Sequence, residues 1–363
     1  MTAHPVRAAV AKGAGAPLSM EVIELWPPKK GQVRVRLAAA GVCHSDLSLL
    51  NGTLPHPTPA VLGHEGAGTV LEIGPEVERL QPGDRVVLSW RPACGSCPLC
   101  SAGQPYLCPQ ADLASRSPIG RTADGDEVFP GLGVAAFAEE TVVPEAGAIP
   151  LDEDIPLQTA ALLGCAALTG FGAVRNCGGV RPGQSVLVLG AGGVGMVALQ
   201  TARLSGAHPI IAVDVSAGKE ARARACGATD FLVSGPRIPD EVRELTGSAG
   251  VDYAIECVGS SATIVNAWRS TRRGGTTIVV GAGSRCEQIG FSAFDLFYSA
   301  RTLVGCLHGN ADPARTLPEL VRHLRSGDID LGVIITDMIG HADIPRALRQ
   351  LAAGEGGRSL VVY

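Results

Sequence analysis

Four cysteines in a short segment rich in glycine and proline form the densest group of reactive side chains in the chain. Cys94, Cys97, Cys100 and Cys108 are separated by two, two and seven residues. Four thiolates at this spacing are typical of a closed tetrahedral zinc site. An iron–sulfur cluster is the competing interpretation, although in the bacterial ferredoxin pattern the last gap is three residues rather than seven. The pattern favours a structural zinc, which would hold a segment with little core of its own.

A second group of metal-binding residue types is dispersed along the chain. Cys43 lies in Gly-Val-Cys-His-Ser-Asp, His64 in Gly-His-Glu, and Cys165 in Gly-Cys-Ala-Ala-Leu-Thr-Gly. Spacing alone does not identify these residues as ligands, because an isolated Cys or His with apolar neighbours usually belongs to a core. If the fold joins them, two thiolates and one imidazole with an open fourth position would make a catalytic zinc site.

A glycine-rich segment predicts a dinucleotide site. The apolar run Val186–Leu189 leads into Gly-Ala-Gly-Gly-Val-Gly, and a helical pattern follows at 196–204. In this G-x-G-x-x-G pattern the first glycine permits a tight turn, the second lets the backbone approach a pyrophosphate, and the third lets helix and strand pack closely. The predicted contact residues are Gly190, Gly192, Gly193, Val194 and Gly195.

The type of dinucleotide is indicated by the end of the next predicted strand. Asp214 lies 24 residues after Gly190 and can accept hydrogen bonds from the adenosine ribose, whereas it would repel a 2′-phosphate. Lys219 is within reach of the same ribose. Arg222 and Arg224 are the argument for NADP, but we interpret them as a solvated helix face. The pattern favours NAD.

The elements that must position these groups fall into three parts. Alternating runs between turns over 31–150 predict an antiparallel β body. Between 167 and 307, short unbroken apolar runs alternate with helical patterns, which predicts a parallel sheet covered on both faces. The remainder, from 308, could complete the first domain. The predicted parallel strands are 186–189, 210–213, 231–233, 253–255, 277–280 and 303–307.

These motifs, in this order and spacing, resemble the zinc-dependent alcohol dehydrogenases of the medium-chain dehydrogenase/reductase superfamily, essentially from end to end. The resemblance implies an α/β fold: a Rossmann doubly wound parallel sheet plus a GroES-like β-barrel catalytic domain. The catalytic domain would be 1–166 and 308–363, with a structural zinc lobe at about 91–110, and the NAD-binding domain 167–307. The implied reaction is reversible hydride transfer between an alcohol and NAD, with two zinc ions per chain.

The resemblance also assigns roles to single residues. Cys43, His64 and Cys165 would bind the catalytic zinc, and the four clustered cysteines the structural zinc. Asp46 and Glu65 would orient His64 and tune the zinc, and Ser45 would bond the substrate oxygen and start a proton relay. Ser48 stands where many relatives carry the relay histidine. Either Ser48 and water would carry the proton, or His44 would, or proton release would be slower. His44 and Arg358 would contact the pyrophosphate, with Thr169 at the nicotinamide end and Val194 behind the ring. The implied substrate pocket comprises Leu54, Trp90, Leu113, Ala282 and Leu307, and it favours an apolar or flat substrate.

Two other functions stay open at this point. Residues 133–139 resemble actinobacterial thiol-dependent formaldehyde dehydrogenases, whose anionic thiol adduct would need basic groups; Arg116 and Arg121 are the candidates. The alternative outside the enzymes is a catalytically silent zinc-containing binding protein.

Composition excludes several classes of partner. The net charge is −5, aromatic residues make up 4%, and basic residues are not clustered around 94–108, so neither nucleic acid nor an anionic membrane is an expected partner. No signal peptide is visible, and the eleven cysteines suggest metal chemistry in a reducing compartment. We expect a cytoplasmic enzyme acting on a small alcohol or aldehyde. A homodimer is expected through the edge strand near 303–307, with a tetramer as an alternative.

Overall fold

The computed structural model describes residues 4–354 and 358–363, which form two compact units. The first comprises Met1–Cys165 and Ile335–Tyr363, and the second Ala166–Ile334. The strands are β1 (His4–Ala11), β2 (Leu18–Leu25), β3 (Gln32–Gly41), β4 (Ala60–Val61), β5 (Glu65–Ile73), β6 (Arg85–Leu88), β7 (Gly120–Arg121), β8 (Glu127–Pro130), β9 (Glu140–Pro144), β10 (Ala148–Pro150), β11 (Val186–Leu189), β12 (Ile210–Asp214), β13 (Asp230–Val233), β14 (Val251–Glu256), β15 (Thr271–Val279), β16 (Thr302–Gly305), β17 (Ile335–Gly340) and β18 (Arg358–Val362).

The α-helices are mostly short, and several 3-10 turns connect them to the strands. They are α1 (His44–Leu50), α2 (Pro98–Ser101), α3 (Leu157–Ala160), α4 (Ala166–Gly172), α5 (Gly193–Leu204), α6 (Glu220–Ala225), α7 (Ile238–Leu245), α8 (Ser261–Ser270), α9 (Ala293–Ser299), α10 (Pro313–Ser326) and α11 (Ile344–Ala352).

The first unit is built from a small closed barrel and a second sheet. The barrel has the strand order β1-β2-β7-β8-β4, and the sheet the order β10-β6-β5-β3-β18-β17, with β9 also paired to β3. Along β3 the side chains of Val33, Val35 and Leu37 point into the core while Arg34 and Arg36 point outward, as strand pleating requires. The C-terminal strand β18 runs antiparallel to β3, with Leu360 opposite Gly41.

The second unit contains a six-stranded parallel sheet with the order β13-β12-β11-β14-β15-β16. This order reverses direction between β11 and β14, and such a switch point is where open α/β sheets bind ligands at the carboxyl ends of their strands. All four residues of β11 are buried, because helices cover both faces. The predicted fold class, a doubly wound parallel sheet plus a β-barrel unit, is confirmed.

The return of the chain to the first unit differs from the boundary predicted at 308. Residues 308–334 belong to the second unit, and the chain returns at Ile335. The reason is packing of α10 and the turn after it: the His323 ring lies 6.0 Å from that of Phe171. The Gln200 side chain also exchanges two hydrogen bonds with the Asp330 backbone, at 2.9 and 2.7 Å.

Within the described residues, no single helix is long and apolar enough to cross a membrane. One bent pair in the described part of the chain, Leu157–Gly164 with Ala166–Gly178, reaches that length and composition when the two helices are taken together.

Candidate metal centres and dinucleotide site

The fold brings the dispersed residues Cys43, His64 and Cys165 together inside the first unit. Cys43 caps the start of α1, His64 immediately precedes β5, and Cys165 follows the 3-10 turn at 161–164. Their ligand atoms and a carboxylate oxygen of Glu65 all lie within 4.8 Å of one another, and all four residues are buried. The loop before His64 depends on Gly63, whose φ is +86° and whose Cβ would lie 2.6 Å from the backbone nitrogen of Phe137.

Asp46 fixes the orientation of the ligands. Its Oδ1 accepts hydrogen bonds from His64 Nδ1 at 2.9 Å and from the Gly63 N–H at 3.1 Å. Its Oδ2 accepts from the Cys43 N–H at 3.0 Å, which closes the first turn of α1. Because Nδ1 donates to a carboxylate, Nε2 of His64 is left with its lone pair available.

Nε2 of His64 is the observation that tests whether a metal fits. It is buried and has no hydrogen-bond partner among the described residues. A buried nitrogen without a partner is costly, and coordination of a metal beside the two thiols would satisfy it. Two thiols and one imidazole are a ligand set that zinc prefers, and the residues present therefore fit a zinc ion.

A buried ion pair lies directly against this group. The Arg358 guanidinium, brought here by β18, is 3.2 Å from Glu65 Oε2 and donates to the Val42 carbonyl at 2.9 Å. Burial raises the pKa of Glu65 to about 7, and the charge of Arg358 opposes that rise. The hydrogen bond with Cys165 lowers the pKa of Cys43 well below its usual range, which favours the thiolate form.

The pairing of Glu65 with Arg358 differs from the roles that the sequence predicts. The sequence predicts Glu65 as an orienting carboxylate and Arg358 as a phosphate contact, whereas the structure pairs the two side chains beside the ligand atoms. The signal for Glu65 was its position next to His64. No local signal links Arg358 to it, because their contact depends on the register between β18 and β3.

The four clustered cysteines form a second metal centre. The sulfur atoms of Cys94 and Cys100 are 4.0 Å apart and those of Cys97 and Cys108 3.9 Å. Four thiolates arranged tetrahedrally at about 2.3 Å around zinc would be separated by about 3.8 Å, so the group fits this ion. Backbone N–H groups of Ser96 and Cys97 lower the pKa of Cys94 to about 6.

The glycine-rich loop has the geometry that its predicted role requires. Gly190 has a φ of +96°, and a Cβ on Gly195 would overlap the Gly190 carbonyl oxygen. A Cβ on Gly192 would instead meet nothing within 4 Å, which leaves the space in front of the loop open. The helix α5 begins immediately afterwards, at Gly193.

Asp214, at the carboxyl end of β12, lies against this loop. Its Oδ2 accepts hydrogen bonds from the Ala191 N–H at 2.8 Å and from Lys219 Nζ at 3.0 Å. Arg224 is paired with Glu220 at 2.8 Å on the exposed side of α6, in agreement with its interpretation as a solvated residue.

The remaining predicted residues lie in both units. In the first unit, Ser45 Oγ is 3.9 Å from Cys43 Sγ, His44 is exposed and Ser48 is half-buried on α1. In the second unit, Thr169 is buried in α4 against the backbone of Gly309, and the carbonyl of Val194 faces Gly170.

The predicted pocket residues are also divided between the units. Leu54 and Trp90 pack against the core of the first unit. Leu113 is exposed and lines a cavity of about 250 Å³ beside Cys94, so it lies at the four-cysteine lobe. Ala282 and Leu307 are exposed residues of the second unit.

Comparison with known proteins identifies the family. The profile of the alcohol dehydrogenase GroES-like domain matches residues 29–153, and that of zinc-binding dehydrogenases matches residues 193–326. Alcohol dehydrogenase class-2 isozyme 2 of Oryctolagus cuniculus is 35% identical over 98% of this chain and 97% of its own. S-(hydroxymethyl)glutathione dehydrogenase of Paracoccus denitrificans is 34% identical, with 98% and 99% covered.

A solved structure agrees with these sequence matches. Benzyl alcohol dehydrogenase from Acinetobacter calcoaceticus superimposes with a TM-score of 0.91 at 30% identity, covering 99% of both chains. The chain therefore belongs to the zinc-dependent alcohol dehydrogenases of the medium-chain superfamily, and it is an NAD-dependent oxidoreductase built from a GroES-like and a Rossmann unit.

Proposed function

We propose that the protein interconverts a small alcohol and its aldehyde or ketone, with NAD as hydride acceptor or donor, at a zinc ion held by Cys43, His64 and Cys165. The observation that carries this proposal is the buried, unpartnered Nε2 of His64 beside two thiols. Zinc bound there would supply Lewis acidity, which polarises a carbonyl and acidifies an alcohol hydroxyl.

The residues around the ligands then have separate tasks. Asp46 holds His64 in the tautomer that leaves Nε2 available, and it fixes Cys43 through the backbone. Ser45, 3.9 Å from the Cys43 sulfur, is close enough to accept the hydroxyl proton of a substrate at this group. The onward proton path has no histidine at position 48, so we assign it to Ser48 and water or to His44.

The other zinc and the cofactor are assigned by the same reasoning. Cys94, Cys97, Cys100 and Cys108 would hold the structural zinc, which stabilises a lobe made of short turns. The pyrophosphate of NAD would lie over Gly192 at the start of α5, with Asp214 on the adenosine ribose. The pocket side chains Leu54 and Trp90 favour an apolar or flat substrate.

A second candidate activity is oxidation of a thiol adduct of formaldehyde, because S-(hydroxymethyl)glutathione dehydrogenases are among the relatives at 34% identity. Such an adduct is anionic and needs a basic group near the site. Arg121 is already ion-paired with Glu24, so Arg116, exposed at the end of its turn, is the stronger candidate.

We also propose that the protein is a homodimer joined along the edge strand β16. This strand ends the parallel sheet, and α9, which precedes it in the chain, exposes Phe294, Phe297 and Tyr298. An exposed apolar patch next to a sheet edge is a typical association surface.

The test of the activity combines metal analysis with NAD-linked assays. We expect about two zinc ions per chain and NADH formation with simple or aromatic alcohols, without added thiol.

Cys43→Ala should lose one zinc and reduce kcat/KM by at least about 1,000-fold while circular dichroism stays unchanged. Cys226→Ala, a buried cysteine of the second unit, is the matched control. Activity that survives in Cys43→Ala would refute the site; activity only with glutathione or another low-molecular-weight thiol would favour the second candidate.

A further inference from the structure

A cavity of about 330 Å³ in the second unit has a strongly basic wall that the proposed reaction does not use. Three arginines, Arg243, Arg269 and Arg301, line it together with the carboxylate of Asp295. Its remaining wall is formed mainly by Trp268 and Phe291, whose rings are 4.9 Å apart. The volume lies at the lower end of the range for small-molecule sites, about 300–1,000 Å³.

Arg301 is the unusual member of this wall. Its side chain is only 13% exposed, yet its guanidinium makes no hydrogen bond to any residue in the described ranges 4–354 and 358–363, and its Nε is fully buried. The nearest carboxylate oxygen, of Asp295, is 3.6 Å away, beyond hydrogen-bond distance. A buried N–H donor without an acceptor, such as Nε of Arg301, is costly, and the other donors of the guanidinium are available to a ligand.

Asp295, the carboxylate nearest to Arg301, is already hydrogen-bonded to another side chain. Asp295 Oδ2 already accepts a hydrogen bond from Trp268 Nε1 at 2.7 Å, and the Arg301 guanidinium lies 5.4 Å from the Trp268 ring centre. Burial lowers the pKa of Arg301; Asp295 opposes this effect and the charge of Arg243 adds to it. Arg301 therefore faces a like charge across the cavity.

The other two arginines leave the cavity with a net positive charge. Arg243 is neutralised by Asp240 at 2.7 Å and also donates to the Arg269 carbonyl at 3.2 Å. The Arg269 guanidinium is exposed and pairs with no carboxylate in the part of the chain that the structure describes. The carboxylates of Asp240 and Asp295 balance two of the three arginines, so one positive charge at the cavity remains uncompensated.

The backbone is bent to deliver Arg301 to this wall. Ala300, which ends α9, has a φ of +48°, and a residue other than glycine adopts this conformation only at a cost of about 1 kcal/mol or more. The three arginines come from different parts of the fold: Arg243 lies in α7, Arg269 lies in α8, and Arg301 follows α9. A ligand in the cavity would thus connect all three.

From the unsatisfied guanidinium, the net charge and the cavity, we propose that this cavity is an anion site for a phosphate group, free or carried by a small metabolite. Tetrahedral oxyanions with several acceptor oxygens match converging guanidinium donors, and such charge-assisted hydrogen bonds are strong. The cavity is roomier than one phosphate ion requires, so a phosphomonoester can place its organic part against Phe291. The site is separate from the glycine-rich loop in sequence and is formed without any of its residues.

The experiment uses the zinc-loaded protein with saturating NAD, so that the pyrophosphate site is already filled. Inorganic phosphate, glycerol phosphate and, at matched ionic strength, sodium chloride are titrated while thermal unfolding is recorded. We expect both phosphates to raise Tm by about 2–6 °C and chloride to have no such effect. Tighter binding of glycerol phosphate than of inorganic phosphate would identify a metabolite, and the reverse order would identify the free ion.

Two variants separate this cavity from other sites. Arg269→Gln removes an exposed guanidinium without disturbing the fold and should weaken phosphate binding about ten-fold or more. Arg237→Gln removes another exposed arginine, which pairs with Glu244 outside the cavity, and this variant should bind phosphate as the wild type does. An unchanged Tm of the wild type with phosphate, or equal shifts in both variants, would overturn the proposal. Because neither readout is alcohol oxidation, the result is independent of the proposed activity.

Discussion

At the scale of single residues, Asp46 is the side chain that holds two residues of the Cys43–His64–Cys165 group in position. One fully buried carboxylate accepts three hydrogen bonds, from the Cys43 N–H, the Gly63 N–H and the His64 ring. It thereby couples the start of α1 to the loop before β5. Two of the three metal-binding residues depend on it for their positions, although it is not itself one of the three.

Replacing Asp46 with Asn should weaken zinc binding without abolishing the fold. The Asn amide group cannot accept from the Cys43 N–H through Nδ2, so the hydrogen bond at the first turn of α1 is lost. We expect a 10- to 100-fold loss of zinc affinity, measured by competition with a chromogenic chelator, since residues behind metal ligands typically contribute this much. Asp343→Asn, on the surface before α11, is the control. Wild-type zinc affinity in Asp46→Asn would contradict the assigned role.

A second residue-scale prediction concerns Asp252 in the parallel sheet. Burial alone would raise the pKa of Asp252, but the Ser185 N–H and hydroxyl and the Arg272 guanidinium lower it below its usual range. Because the folded-state pKa is below the unfolded one, ionisation stabilises the fold. This stabilisation is complete above the ordinary Asp pKa of about 3.9 and is lost as pH falls through the folded-state pKa.

Asp252→Asn should therefore lower the free energy of unfolding by about 1–3 kcal/mol near neutral pH. The difference from wild type should shrink as the pH approaches and passes below about 3.9. Urea unfolding over a pH series measures this difference. Asp337→Asn, at an exposed position of β17, should show no such trend. A gap between Asp252→Asn and wild type that stays constant down to about pH 3 would show that ionisation of Asp252 is not its source.

At the scale of elements, the C-terminal strand β18 explains why the sequence does not predict the contact between Arg358 and Glu65 beside the metal group. The spacing of the clustered cysteines predicts their metal site directly. Cys43, His64 and Cys165 are predicted as ligands through the family resemblance, because their spacing alone does not identify them. Arg358 reaches Glu65 only because β18 inserts beside β3, and strand pairing over such a separation leaves no local periodic signal. The boundary at 308 failed for the same reason, since the packing of His323 on Phe171 is a tertiary contact.

Two glycines three residues apart, Gly192 and Gly195, lie where β11 leads into α5, and variants can show that they have different roles. Gly192 has a φ of −89° and open space around its Cβ position, whereas Gly195 is pressed against the Gly190 carbonyl. Gly192→Ala should keep the wild-type Tm but raise the Kd for NAD about ten-fold or more, because the methyl group occupies the space proposed for the pyrophosphate.

Gly195→Ala should instead destabilise the second unit itself, with a drop in Tm of several degrees or failure to fold, because the β11–α5 turn must open to accommodate the methyl group. Differential scanning fluorimetry and NAD titration, run on both variants, separate the two effects. Equal losses of Tm in the two variants would contradict the distinction drawn between the glycines.

At the scale of the whole molecule, the chemistry is divided between the two units. The two metal-binding groups lie entirely in the first unit, and the glycine-rich loop with Asp214 lies entirely in the second. The sequence pattern could predict this division, because strands of an antiparallel sheet alternate apolar and polar residues whereas buried parallel strands are continuously apolar. It could not predict which surfaces meet other molecules, since exposure depends on the finished fold. The apolar face of α9 and the basic cavity are both features of the second unit that only the fold makes visible.

The proposed dimer can be tested on this apolar face. Phe297 is 80% exposed on α9, the most exposed large apolar side chain on that face, and burying it against a second copy would favour association by about 2 kcal/mol. The wild-type protein should therefore elute with twice the chain mass of 37.2 kDa in size-exclusion chromatography with light scattering. Phe297→Ser should shift the population towards the monomer at micromolar concentration. Met338→Ser removes an apolar side chain that is 63% exposed on β17 of the first unit, and it should remain dimeric. A monomeric wild type would refute the proposed dimer. A Phe297→Ser variant that dimerises as tightly as wild type would place the association surface elsewhere.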